Sequence, residues 1–524
     1  MSEMEKPNDL NEKCEEVIGS ESINQQSYKE NFLQMLTLPD KLLLAGALAF
    51  GILFVWLFYG KYPGISIPIF VIAFYALLLA YTRPVLAKEA WFGWFLSIPV
   101  FMLSLTYLLF GNVIMMILNL LALIILVLLQ TLLITGANSF KWHHPGILID
   151  LLCGIFYRCM AHVLKPFSII AVLLRRKRNE NGTKSVGSRV LIGLLISLPL
   201  LLVLLALLAS ADMVFGRLVD RLPVLFEDMN MGELIGKAIV ALIIFFISFS
   251  YLWSLGHGDR PADSTFKSIE SASPPKKSSW DMVTIITITA AVDILYIVFV
   301  IIQFAYLFGG SGLPNGFTYA EYARSGFFEL ILVTLLNIGL LACTLTFTGK
   351  GGTKAVAAFR VLNTIMICCT FVMLFSAHYR MTLYEMAYGF TFLRIMTHAF
   401  MAFLLVLFVI TLARVWVERM PLLKPYIVVA IAAFTVVNYI NVDKLIVKKN
   451  IERYNSINVI DMAYFRTFSN DIVSDIKKLT EDKDSNVSSA AKELLEQRKK
   501  QLLKNNHWQS FNLTDYRARK ALEK

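Results

Sequence analysis

The chain has 524 residues, of which 57% are hydrophobic and 17% charged, with a formal net charge of +11 and a mean hydropathy of +0.62. Soluble domains carry about 25% charged residues, so a soluble enzyme, a DNA-binding factor or a disulfide-stapled secreted domain is excluded as a reading of the whole chain. The basic excess gathers in short loops beside apolar runs and near the C-terminus, so no nucleic-acid partner is expected. Cys14, Cys153, Cys159, Cys343, Cys368 and Cys369 show no C-x-x-C spacing, and no metal or cofactor is predicted.

Residues 1–40 are polar and acidic, with Glu3, Glu5, Asp9, Glu12, Glu15 and Glu16 among them. That is the wrong flank for a cleavable signal and predicts a disordered cytoplasmic arm. Residues 41–440 then hold eleven apolar runs, at 42–59, 64–81, 91–110, 113–135, 190–210, 237–256, 282–308, 325–347, 356–377, 392–416 and 422–440. Each approaches the roughly 20 residues that a membrane-crossing helix needs. The prediction is an all-α polytopic integral membrane helical bundle, N-terminus inside, with a short helical C-terminal segment. That orientation places most of the loop Lys and Arg on the inner side, as the positive-inside rule requires, and an odd number of spans puts the tail outside.

Two inner segments differ from simple loops. Within 136–189, residues 146–174 are apolar but interrupted by Asp150, Arg158, His162, Lys165 and Pro166. They predict amphipathic helices in the inner interface, followed by the run Arg175, Arg176, Lys177 and Arg178, which suits anionic lipid headgroups. A topology-setting loop explains the same charges. Residues 257–281, rich in Ser and Pro, predict a cytoplasmic linker between two halves.

Charged side chains inside spans are costly and mark functional hypotheses. Asp293 lies near the middle of the run 282–308, with Tyr296 one turn away and Gln303 toward the outer end. An ionised Asp there needs a partner, and Arg394, His398 and Arg360 are the candidates. A proton- or cation-coupled site and a structural polar clamp both account for it. Asn112, Asn119, Gln130, Asn337 and Asn363 are expected to make interhelical hydrogen bonds. Three outer loops add a second concentration: Asp212 after the fifth run; Tyr319, Glu321, Tyr322, Arg324 and Glu329 after the seventh; and Arg380, Tyr384, Glu385, Tyr388 and Arg394 after the ninth. Together they outline an extracytoplasmic pocket for a polar or anionic ligand, with arginines contacting carboxylate or phosphate and tyrosines as walls. An interfacial aromatic belt with anchoring charges is the alternative.

Residues 441–524 change character, and the long apolar runs stop. Helical patterns cover 457–468, 470–480 and 487–504, with Asn470 and Ser485 as N-caps and Trp508, Phe511, Tyr516 and Leu522 as a packing stripe. A unit of about 80 residues is marginal alone and gains from docking on the outer face. The chain carries no P-loop, dinucleotide fingerprint, H-E-x-x-H or G-x-S-x-G motif.

The combination of Asp293, Tyr296, Gln303 and Tyr306–Gly310, TYAEYARSGFFEL (318–330), Tyr388–Thr391 with Arg394, Asn450–Tyr454 and Trp508–Ala518 resembles an uncharacterised bacterial multi-pass membrane family. It is catalogued as domain of unknown function 4173 and is allied to the 4153 group. The resemblance covers roughly residues 40–520. It implies a protein of the bacterial cytoplasmic membrane with an extracytoplasmic C-terminal segment, and it brings no activity or substrate. The leading functional expectation is a non-enzymatic sensor or transport-like component. Its ligand site would use Asp293, Tyr296, Gln303, Tyr319, Glu321, Tyr322, Glu329, Arg380, Tyr388 and Arg394. The rivals are an enzyme on a lipid-linked substrate, with Asp212 or Glu321 as general base, and a scaffold for an unknown membrane partner.

Overall fold

The computed structural model describes residues 38–82, 90–176, 231–257, 280–308, 327–347, 352–417, 420–504 and 507–523, with scattered positions between 197 and 212. Every regular element among the described residues is a helix, the form in which a single apolar segment satisfies its own backbone in hydrocarbon. Helices α1 (Leu38–Phe58), α2 (Ser66–Tyr81), α3 (Trp91–Leu109), α4 (Val113–Thr135) and α5 (Met231–Gly256) form one packed group. Helices α6 (Met282–Phe308), α7 (Phe327–Phe347), α8 (Thr353–Tyr388) and α9 (Phe392–Trp416) form another. Helix α10 (Leu423–Asn438) packs on both α9 and α3 and so joins the groups.

Among the described residues nine helices are long and apolar enough to cross a membrane, or ten if one bent pair counts as a span. The run at 64–81 yields a 16-residue helix, and 422–440 supplies the first half of the bent pair. The run at 190–210 lies outside the described residues apart from scattered positions, as do the acidic arm up to residue 37 and most of the linker 257–281. Large apolar side chains stay on the outside: Ile117, Leu121, Ile124 and Ile125 on α4, and Ile294, Leu295, Val298 and Ile301 on α6. An apolar surface this continuous fits lipid and not water.

Segment Ile147–Ile170 also meets the length and composition of a span. It is interrupted by a π-turn at Gly154–Arg158 and a turn after Ala161. Both charges that argue against burial are buried, because each finds an internal partner. Asp150 accepts from the Ser139 and Phe140 amides at 2.8 and 2.9 Å, and Arg158 Nη2 donates to Ala137 O at 2.7 Å.

The main correction to the sequence reading is α8. The stretch after residue 377 is not an outer loop; it belongs to the 36-residue helix Thr353–Tyr388. No Gly or Pro interrupts it before Gly389, and Arg380 and Glu385 are tucked between helices. Its length of roughly 54 Å exceeds the ~30 Å hydrocarbon core, so one end projects beyond it. It stops at Gly389, whose φ of +86° favours glycine.

The tail begins with a 60° bend into α11 (Val442–Ile457). Asn441 caps that helix by accepting from the Lys444 amide at 3.1 Å. Helices α12 (Ser485–Lys504) and α13 (Leu513–Glu523), with short turns between, complete the unit. Its core holds Ile446, Val447, Phe465, Ile472, Ile476, Ala491 and Leu494. Two local expectations fail here. Asp484 caps α12 through the Asn486 amide, in place of Ser485, while Asn470 donates to Asp515 at 2.7 Å and caps nothing. Trp508, Phe511 and Tyr516 are exposed; the face of α13 that packs inward carries Thr514 and Ala518.

Helices α1 and α5 touch backbone to backbone at Gly51, where an added Cβ would lie 2.4 Å from Ala241 O. Gly51→Val should therefore cost about 1–3 kcal/mol by overpacking, seen as a lower melting temperature in detergent. Gly339→Ala, with nothing within 4 Å, should melt like the wild type. Equal melting of both variants would contradict this packing.

Candidate functional site

Helix α8 is a polar hub inside the second group. Toward α7, Asn337 accepts from Tyr296 Oη of α6 at 2.5 Å and donates to Thr370 Oγ1 of α8 at 2.8 Å. Toward α6, Gln303 Oε1 accepts from Ser376 Oγ at 2.8 Å and Arg380 Nη2 at 3.3 Å. Toward α9, Glu385 Oε2 lies 3.1 Å from His398 Nε2, and His398 Nδ1 lies 2.8 Å from His378 Nδ1. These contacts run along α8 in register with its length, and each bridges to a different neighbour.

Asp293 sits beside this chain. It is 2% exposed, and both carboxylate oxygens lack a hydrogen-bond partner among the described residues. The expected partners Arg394, His398 and Arg360 do not reach it. His398 is engaged by Glu385 and His378, and Arg394 turns back to Gly389 O and lies over the Tyr384 ring at 4.2 Å. An unpaired ionised carboxylate in such a place is costly.

Of the residues expected in the three outer loops, Arg380 and Glu385 join the α8 chain, together with Tyr296 and Gln303 of α6 and His378 of α8. Tyr388 is exposed and packs its ring 5.0 Å from Tyr384. Glu329 is exposed in the first turn of α7, where a helix N-terminus favours a carboxylate without any ligand. Tyr319, Glu321 and Tyr322 lie outside the described residues. Asn363, seven residues before Thr370, was legible as a polar intruder; that His378 and Glu385 continue the same helix was not.

The projecting end of α8 is bound directly to the tail. Arg453 on α11 donates from Nε to Met386 O at 2.8 Å and from Nη2 to Ala387 O at 2.6 Å. Asn450 pairs both ways with the Phe390 backbone, accepting from its amide at 2.9 Å and donating to its carbonyl at 2.8 Å. Tyr464 Oη accepts from the Phe392 amide at 3.0 Å. A side chain at Gly389 would collide with Asn450 Oδ1 at 2.7 Å, so glycine is needed for the approach as well as for the turn.

The first helix group is tied to the tail in the same manner. Asn112 Nδ2 donates to Asp443 Oδ1 at 2.5 Å, and the Gly111 amide to Asp471 Oδ2 at 3.3 Å. Thr514 Oγ1 donates to Leu109 O at 3.1 Å, and the Ile65 amide to Phe511 O at 2.9 Å. Between tail and helix ends lies a cavity of 730 Å³ lined by Asn112, Asp443, Arg466, Arg498, Lys504, His507 and Asp515, within the size range of small-molecule sites. Arg498 donates to Phe468 O at 2.5 Å and Arg466 O at 2.9 Å. Burial holds its pKa below the usual value, and Asp443 and Asp515 partly offset that.

At the opposite end of the bundle, Tyr81 Oη lies 3.2 Å from both Asp40 Oδ1 and His257 Nδ1, joining the ends of α1, α2 and α5. Nothing in the sequence announces this junction, since its members are far apart in the chain. Among the described residues no group of three or more His, Cys, Asp or Glu is placed to hold a metal ion.

The sequence matches the family described as Domain of unknown function (DUF4153) over residues 97–479. No curated protein matches the chain, and no solved structure does.

Arg453→Ala removes two charge-assisted bonds, worth about 1.5–3 kcal/mol each. It should loosen the tail, read as at least ~10-fold faster tryptic cleavage around residues 442–470. Arg453→Lys should rescue poorly because an ammonium does not reproduce the planar fork. Unchanged cleavage in Arg453→Ala would show that this junction does not hold the tail.

Proposed function

The chain belongs to the DUF4153 family, and we propose from its own geometry that it is a non-enzymatic component of a bacterial cytoplasmic membrane that senses a polar ligand. The N-terminus is cytoplasmic in this reading, and the tail is extracytoplasmic. The finer assignment to the allied group, domain of unknown function 4173, is part of the proposal and rests on TYAEYARSGFFEL (318–330).

The observation that carries the sensing reading is the continuity of α8. The helix that collects Thr370, Ser376, Arg380 and Glu385 inside the bundle ends in hydrogen bonds to the tail at Met386, Ala387 and Phe390. A proton or cation at Asp293, or a change at Glu385–His398, shifts the packing of one rigid element that reaches the tail. Tyr319, Glu321, Tyr322, Glu329, Tyr388 and Arg394 complete the candidate ligand set on the outer half. Transport is the weaker form of this reading, because the cavities of 730 and 620 Å³ among the described residues border the tail.

Anionic headgroups at Arg175, Arg176, Lys177 and Arg178 and an unknown membrane partner belong to the same proposal. The first two of those residues end the helix Lys165–Arg176, and the others lie outside the described residues. An enzyme acting on a lipid-linked substrate has less support. Asp212 is exposed at the end of a helical stretch, and Glu321 lies outside the described residues.

Coupling between two sites is worth about 5- to 150-fold in typical cases. Hydrogen exchange of α11 amides in the full chain, held in lipid nanodiscs, tests it. Asp293→Asn and Glu385→Gln should each change exchange across 442–457 by roughly 5-fold or more, while Cys368→Ser, on an exposed face of α8, should not. Unaltered exchange in both variants, with melting intact, would remove the sensing reading.

A further inference from the structure

Helices α1 and α5 meet backbone to backbone at Gly51 and Ala241. Beside that contact, toward Lys61, lies a cavity of 620 Å³. Its wall is apolar at Ile52, Val55 and Ala238, and its charged lining is Lys61, Lys237 and Glu233, with His507 beside them. Trp56 and Trp508, half exposed with ring centroids 5.1 Å apart, stand at the same level, as aromatic residues do at a headgroup boundary. This cavity shares Gly60 and His507 with the larger cavity beneath the tail.

We propose that this groove binds a membrane phospholipid with an anionic headgroup, its phosphate between Lys61 and Lys237 and an acyl chain along Ile52, Val55 and Ala238. The site is independent of the α8 chain and does not rest on the sensing reading. Three features select this occupant. The groove runs beside the Gly51–Ala241 contact, and its apolar lining at Ile52, Val55 and Ala238 suits an acyl chain. Its lining combines apolar side chains at Ile52, Val55 and Ala238 with two lysines against one carboxylate, Glu233, a combination that suits a lipid and not a free anion. Its two lysines come from different segments, Lys61 from the loop after α1 and Lys237 from α5, and they lie close enough for the charge of one to act on the other. Lys237 also pairs with Glu233 at 2.7 Å and lies 5.5 Å from the Tyr59 ring centroid, while Lys61 Nζ donates to Trp56 O at 2.5 Å; both ammonium groups are thereby held at the groove. Burial first, and the charge of Lys237 second, hold the Lys61 pKa below its usual value. A phosphate between the two lysines relieves the second effect.

The test uses the full chain in dodecyl maltoside, with phosphatidylglycerol, phosphatidylcholine and inorganic phosphate as probes. Native mass spectrometry counts retained lipid, and thermal melting reads stabilisation. Wild-type protein should retain phosphatidylglycerol in preference to phosphatidylcholine and melt higher with it. The double variant Lys61→Gln, Lys237→Gln should bind it roughly tenfold more weakly, and Ala238→Trp should block the chain slot with the lysines intact. Inorganic phosphate should neither stabilise the protein nor displace the lipid. Wild-type retention by the double lysine variant overturns the proposal whatever Ala238→Trp does to folding. Equal retention of phosphatidylcholine overturns the charge selection, and stabilisation by inorganic phosphate alone overturns the lipid in favour of a free-anion site.

Discussion

The structure depends on how the ends of its helices are satisfied. Each helix leaves its first amides and last carbonyls without intrahelical partners, and at a membrane boundary an unsatisfied group costs more than in open water. Here the tail supplies those partners. It receives the amides of Ile65, Gly111, Phe390 and Phe392 and donates to the carbonyls of Leu109, Met386 and Ala387. The tail is therefore a cap on the bundle, built from side chains whose counterparts are helix termini. Because it caps the Phe58 end of α1 and not the Leu38 end, the tail and the start of α1 lie at opposite ends of the bundle.

That arrangement joins the two helix groups. Among the described residues α10 packs on both sides, through α9 and α3. At the capped end, Asp443 and Asp471 hold the first group and Asn450 and Arg453 the second, and Asp443, Asn450 and Arg453 all lie on α11. That helix therefore touches both groups. The polar contacts along α8 and the lysine-lined groove between α1 and α5 thus lie on different groups but border the same tail.

The membrane class and most helix positions were legible because runs of about 20 apolar residues admit few other structures. Gln303 and Asn337 were legible as polar residues within such runs, but not their partners. Those come from other helices, and no local pattern encodes them. The end of α8 was misjudged because charged residues were taken for a loop, whereas a helix stops where the backbone demands it, at Gly389. The tail's role was hidden for a related reason. Asn112 and Asp443 are separated by 331 positions, and capping chemistry reads from sequence only when cap and helix are neighbours. Asp293 remains the residue whose oddity the sequence exposed most directly, and its expected ion-pair partners are the ones that proved to be engaged elsewhere.

The docking of the tail on the helix ends is the claim on which the others rest, and a disulfide tests it most directly. An added Cβ at Gly111 would stand 3.0 Å from Ser469 Cβ, close to the span of a disulfide-bonded pair. With Gly111→Cys and Ser469→Cys on a chain whose other cysteines are replaced, mild oxidation in membranes should give a near-complete intramolecular crosslink, detected by loss of thiol labelling and by a linked pair of peptides. Two thiols that both stay free to label after oxidation would contradict the docked tail and the capping account with it.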